Sequence, residues 1–217
     1  LKDAAIRVGD DITLIGIDAS QAAGSMTDLF KSGKDVTDVF GDLEGYMAGT
    51  AKLGGILRAS VDLQAASMLD LGGATTLVNS TLATYGLATS DAVDVTNNFV
   101  KTADASQAEV HDLAEAHKNA AIVLASFGYT LEDTNTALAL LSENALKGAE
   151  AGTSLRAMVN NMLRPTKKTA AAWKELNISL YDSEGQLKRL PQIMAEMVPA
   201  LQNVTTERRN ELAYILA

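Results

Sequence analysis

Apolar residues recur along this chain at spacings of three and four, the period of an amphipathic helix. Ile17-Asp18-Ala19-Ser20 opens one such stretch, Ala22, Met26, Leu29 and Phe30 form its face, and Ser32-Gly33 stops it. Val36, Val39, Phe40, Leu43 and Met47 predict a second helix, although Gly41 and Gly45 fall inside it, each at a cost of about 1 kcal/mol relative to alanine. Gly54-Gly55 ends that stretch. Ile56 to Leu71 predicts a third helix with Leu57, Val61, Ala65, Met68 and Leu69 inward, and Gly72-Gly73 reads as the next break. A helix from Ala74 to Tyr85 follows with Leu77, Val78 and Leu82 on its face and Gly86 as its C-cap. Asp91 to Lys101 is next, and Ser106-x-x-Glu109 reads as a capping box for a helix from Glu109 to Ser126. Ile-Thr-Leu-Ile could pass for a strand, and although the local context argues otherwise a strand stays open for residues 12–17.

The most informative stretch is Phe127 to Leu190. Thr130-Leu131-Glu132-Asp133 is a capping-box start for a helix with Leu138, Leu141 and Ala145 on one face, stopped at Lys147-Gly148. Gly148 and Gly152 bracket an Ala-Glu-Ala turn, with Thr153 as N-cap of a helix carrying Leu155, Met158, Val159, Met162 and Leu163. Pro165 ends that helix, and Thr166 caps another that holds Ala170, Trp173 and Leu176. Ile178 and Leu180 then alternate with Ser179 and Tyr181, Asp182-Ser183-Glu184-Gly185 is turn chemistry, and Leu187 and Leu190 resume beyond it, which predicts a small β-hairpin. The expected fold is all-α, mainly short antiparallel helices joined by glycine turns, with one small β-hairpin near residues 177–190.

An apolar-Gly-apolar unit recurs at Ile15-Gly16-Ile17, Tyr85-Gly86-Leu87 and Phe127-Gly128-Tyr129. The offsets of 70 and 42 residues keep no common period, so these are helix-turn-helix units of similar construction rather than a solenoid. The expectation is a single helical domain over 1–217, with two candidate sub-lobes: an acidic helical array over 1–152 and a basic helix, hairpin and helix over 153–217.

Charge sharpens that division. The net charge is −9, but residues 1–152 carry 9 basic and 21 acidic side chains, whereas residues 153–191 carry 7 basic and 3 acidic. An acidic body disfavours nucleic acid over most of the surface, because phosphate binding needs clustered Lys and Arg. Arg156, Arg164, Lys167, Lys168 and Lys174 are the exception. They read as a solvated face, or as a patch contacting acidic surface of this molecule or of a neighbour, since interleaved aromatics for base stacking are missing. There is no cysteine, which excludes disulfides and thiolate metal sites. No apolar run approaches the roughly 18 residues that span a bilayer. The chain opens on Leu1 and is expected to be part of a longer protein.

Candidate chemistry reduces to structure. His111 and His117, six residues apart on one helix, face directions about 120° apart and cannot share a metal. The acid pairs Asp91/Asp94, Asp112/Glu115 and Glu132/Asp133 each sit in a first helical turn, where capping and the helix dipole account for them. Ser154 lacks a nucleophile elbow. Gly148-x-x-x-Gly152 lacks the Gly-Lys-Ser/Thr of a phosphate loop and reads as a tight interhelical turn. Trp173 and the methionines lie on apolar stripes. No catalytic residue, metal site, cofactor or small-molecule substrate is expected.

Gly148-x-x-Ala151-Gly152-Thr153-x-Leu155-Arg156, Pro165-Thr166-Lys167, and Leu176-x-Ile178 leading to Asp182-x-x-Gly185 together resemble the core region of phage tail tape measure proteins. Tyr85-Gly86-Leu87-x-x-x-Asp91-Ala92, Ala105-Ser106-x-x-x-Val110-x-Asp112-Leu113-x-Glu115-Ala116 and Glu207-Arg208-Arg209-x-x-Leu212-Ala213-x-Ile215 are similar to that family too, and the glycine of Phe127-Gly128-Tyr129 belongs with them. The resemblance implies a structural protein of a phage or prophage tail, acting in tail assembly, tail length determination and DNA ejection. It implies a place in the tail lumen of the virion, and in the host cytoplasm during assembly. It also implies a short helix before Gly16, self-association and contact with other tail proteins. A sustained heptad is missing, so a folded module is expected rather than the measuring segment itself. The alternatives are a cell-wall lytic module, which a paired-carboxylate cleft would favour, and a free-standing helical adaptor.

Overall fold

In the computed structural model, which describes residues 2–11, 14 and 16–216, the helical period becomes thirteen α-helices among the described residues. They are α1 (Lys2–Asp10), α2 (Ala19–Lys31), α3 (Val36–Phe40), α4 (Leu43–Ala48), α5 (Gly55–Ala65), α6 (Leu71–Tyr85), α7 (Ala92–Asp104), α8 (Val110–Ser126), α9 (Leu131–Ser142), α10 (Gly148–Leu163), α11 (Lys167–Glu175), α12 (Leu190–Gln202) and α13 (Thr206–Leu216). The chain divides into two compact units, Leu1–Ala105 with Glu109–Ala114, and Ser106–Ala108 with Glu115–Ala217. The division passes through α8.

In the first unit α5 is central and packs against α3, α6 and α7, while α2 packs on α1 and α6. Its core holds Met26, Leu29, Phe40, Tyr46, Ile56, Leu57, Leu82 and Phe99, all fully buried. Thr96 ties α7 to α5 by donating its hydroxyl to the Ala59 carbonyl at 3.0 Å. In the second unit α9 packs against α10 and α12, and α13 against α11 and α10, around Leu124, Leu138, Leu155, Val159, Leu190 and Ile193.

Several sequence expectations are corrected. The single helix expected over Val36–Met47 is two, because Gly41 turns at φ 69° and Asp42 caps a new helix by accepting the Gly45 amide. That break shifts the phase, so Tyr46 is buried and Met47 exposed. The helix expected to run to Leu71 ends at Ala65, and Met68 is 86% exposed. Asp70 caps α6 by accepting the Gly73 amide at 2.7 Å, which makes Gly72-Gly73 its first turn rather than a break. Before α8 the Ser106 hydroxyl accepts the Ala108 amide and Asp112 accepts the Glu109 amide. α9 ends at Ser142, and its left-handed exit residue is Ala145, at φ 65°, which is exposed rather than on the core face. Of residues 12–17 only Leu14, Gly16 and Ile17 are described, none in a helix or strand; Ile12, Thr13 and Ile15 lie outside the described residues.

The expected β-hairpin is not there. Among the described residues the stretch 177–190 contains one isolated antiparallel bridge, Tyr181 with Leu187, and no strand. Two backbone bonds do cross the loop, from the Lys188 amide to the Leu180 carbonyl and from the Asp182 amide to the Gln186 carbonyl, but local demands at either end keep them from growing into a ladder. Asn177 turns at φ 54° and Ile178 donates its amide to the Trp173 carbonyl, closing the end of α11. One Asp182 carboxylate oxygen accepts the amides of both Glu184 and Gln186. The alternation of Ile178 and Leu180 therefore marks a loop lying on α11, not a pleated strand.

Candidate interaction surface

The residues singled out in the sequence scatter over both units. Gly86 (φ 64°) caps α6 in the first unit, and Gly128 (φ 82°) follows α8 in the second. Gly148 opens α10 with a left-handed φ of 57°, and Gly152 and Thr153 lie inside that helix; the N-cap expected at Thr153 is therefore mid-helix, with the Thr153 hydroxyl donating to the Ala149 carbonyl at 2.8 Å. What Gly152 does provide is close approach. It is buried, and a Cβ built there would lie 2.7 Å from the Ala116 Cα and closer still to its carbonyl oxygen. Leu155 is core and Arg156 is exposed on the same helix.

Pro165 follows α10, and Thr166 caps α11 by accepting the Thr169 amide at 3.2 Å. Asp182 and Gly185 (φ 77°) form the turn described above. The face of α11 differs in detail from expectation: Thr169, Ala172, Trp173 and Leu176 are buried, whereas Ala170 is exposed.

Charge in the second unit is sorted between paired and unpaired cations. Arg189 binds the buried carboxylate of Asp133 through two nitrogens, Nε and Nη2, at 2.8 Å. Lys188 pairs with Glu196 at 2.7 Å. Arg208, on α13, pairs with Glu175 of α11 and with Glu211. The guanidinium beside Glu175 holds that carboxyl below its usual range, and the two carboxylates hold Arg208 firmly protonated. Arg156, Arg164, Lys167, Lys168 and Lys174, by contrast, are exposed, and none has a carboxylate within 4 Å among the described residues.

Asp91, Asp112, Asp133 and His117, among the groups considered for chemistry, are engaged structurally. Asp91, Asp112 and Asp133 accept the backbone amides of Ala88, Glu109 and Thr130 respectively. His117 is buried, with Nε2 2.7 Å from the Asn135 side-chain oxygen, and burial pushes its pKa down to about 4. Among the described residues no three His, Asp or Glu side chains gather as a metal site. No described helix is long and apolar enough to cross a membrane. Sequence reading missed the Asp133–Arg189 pair, whose members lie 56 residues apart; Asp133 was legible only as a capping residue.

A family model for phage-related minor tail proteins matches residues 2–216. The chain is 31% identical over 192 residues to the tape measure protein of Pneumococcus phage Dp-1, a match covering 88% of this chain and 16% of that protein. It is 28% identical over 197 residues to a probable tape measure protein of Escherichia phage P2, covering 91% of this chain and 22% of that protein. The chain thus spans less than a quarter of either relative's length. No solved structure matches it.

Proposed function

Because the chain belongs to the family of phage-related minor tail proteins, we propose that it is a folded module of a tape measure protein, resident in the virion tail. The observation that carries this reading is similarity over nearly the whole chain to two phage proteins named for that role. In this reading the parent protein occupies the tail lumen, is assembled in the host cytoplasm, sets tail length, and leaves with the DNA at infection. The module itself is not the ruler. Its longest described helix, α8, has 17 residues and extends only about 25 Å at 1.5 Å per residue. Its task is to hold the parent chain to other tail proteins and to further copies of itself.

We read the module as working without catalysis, since Asp91, Asp112 and Asp133 accept backbone amides at helix starts and the buried histidine is held by an asparagine. The test is an in-frame deletion of this segment from the phage genome, followed by electron microscopy of tails. A module that docks gives failed or aberrant assembly. Normal tails shortened in proportion to the residues removed would instead make this segment part of the ruler. Fully normal tails would remove it from assembly altogether. An antibody to the segment, applied to purified tails, checks its residence there.

A further inference from the structure

Within the second unit, α11, Pro165 and the loop 177–181 border an open groove of about 480 Å³. Its walls are largely apolar: Trp173, Ala170, Ile178, Leu180 and Tyr181, with Lys174 at the edge. Two observations give the groove a chemical preference. Trp173 is only 5% exposed, yet its indole Nε1 has no hydrogen-bond partner, an uncommon state for a buried indole. The cations around it are also unanswered. Lys174 lines the groove, and Lys167 lies seven residues before it on the same helix, about two turns away and on the same face. Neither has an ion pair, although Lys188, Arg189 and Arg208 of the same unit all do.

We infer that this groove docks a short acidic segment of a partner protein, an apolar side chain seated against Trp173 and Ile178 with flanking carboxylates reaching Lys167 and Lys174. Opposite charge steers the encounter and fixes the register, and the apolar contact holds the complex. Nucleic acid is the poorer fit. Tyr181, at 50% exposed, is the one open aromatic of the groove, short of a stacking platform, and the chain as a whole carries −9. The inference goes beyond the length-setting role and stands whether or not this module helps to set tail length.

Trp173 is the sole tryptophan, so its emission reports on this groove alone. The experiment selects binders to the whole 217-residue chain from a displayed library of random short peptides, then titrates the winners against Trp173 fluorescence. Enrichment of Asp and Glu beside an aliphatic or aromatic residue is expected, with a saturable change in emission. Affinity should fall at least about tenfold in the Lys167→Glu/Lys174→Glu variant, a loss of about 1.4 kcal/mol, with far-UV circular dichroism unchanged. Tyr181→Glu on the other wall should weaken the same peptides by a comparable factor. The inference is overturned by no acidic enrichment, by winners that leave Trp173 emission unchanged, or by winners indifferent to these variants. It is equally overturned if duplex DNA saturates the groove where peptides do not.

Discussion

Burial keeps the His117 imidazole neutral, its pKa lowered to about 4 from an ordinary 6.5. Between those two values the unfolded chain takes up a proton that the folded chain refuses, so stability falls as pH drops from about 6.5 towards 4, by about 3 kcal/mol in all, and this residue adds no slope above that window. Urea unfolding at a series of pH values should display that loss, and His117→Gln should flatten it by about one proton. Two glycines make an equally local contrast. Gly152→Ala drives a methyl into the Ala116 backbone and should cost about 1–3 kcal/mol, because neither helix can yield without disturbing the core. Gly72→Ala meets nothing nearer than the Asp70 carboxylate at 3.8 Å, in the exposed first turn of α6. There it should add up to about 1 kcal/mol through helix propensity. Both are read from urea midpoints. The sequence marks both residues as breaks in a helical pattern, yet only neighbours in space distinguish a glycine needed for clearance from one that is dispensable.

Elements were legible where their signals are local. Asp18, Thr130 and Thr166 accept the amides expected of N-caps, and Gly86 takes the left-handed turn after α6. The misreadings came where two local signals competed: Asp42 and Asp70 start new helices inside stretches whose apolar spacing ran on without a gap. The hairpin failed for a related reason: Leu180 and Asp182 do bond across the loop to Lys188 and Gln186, but the Ile178 amide is committed to α11 and the Tyr181 amide to the Ser179 hydroxyl. What joins α9 to the start of α12 could not be read from spacing at all. Asp133 is 2% exposed and answered by Arg189 from 56 residues away. Arg189→Ala should cost about 1–3 kcal/mol by leaving that carboxylate without its cation. In an Asp133→Asn background the same change should cost much less, and a double-mutant cycle by urea denaturation measures the difference.

The division of the whole molecule into two units follows neither the charge boundary near residue 152 nor any glycine break, because it runs through α8. Val110–Ala114 of α8 belong to one unit and Glu115–Ser126 to the other. The charge boundary has a different meaning: beyond it lie the five cations on α10, α11 and their junction that have no carboxylate within 4 Å among the described residues. That surplus was visible in composition, whereas the groove beside it required Trp173 and the loop 177–181 to be brought together by folding. Sharing α8 has a measurable consequence. Trp173 emission follows the second unit alone, while far-UV circular dichroism follows the helices of both. If α8 melts as one helix, the two probes should trace one coincident urea transition. Gly152→Ala, although it lies in the second unit, should move both traces together. A fluorescence transition displaced from an unmoved dichroism transition would mean instead that α8 transmits nothing and that each unit folds on its own account.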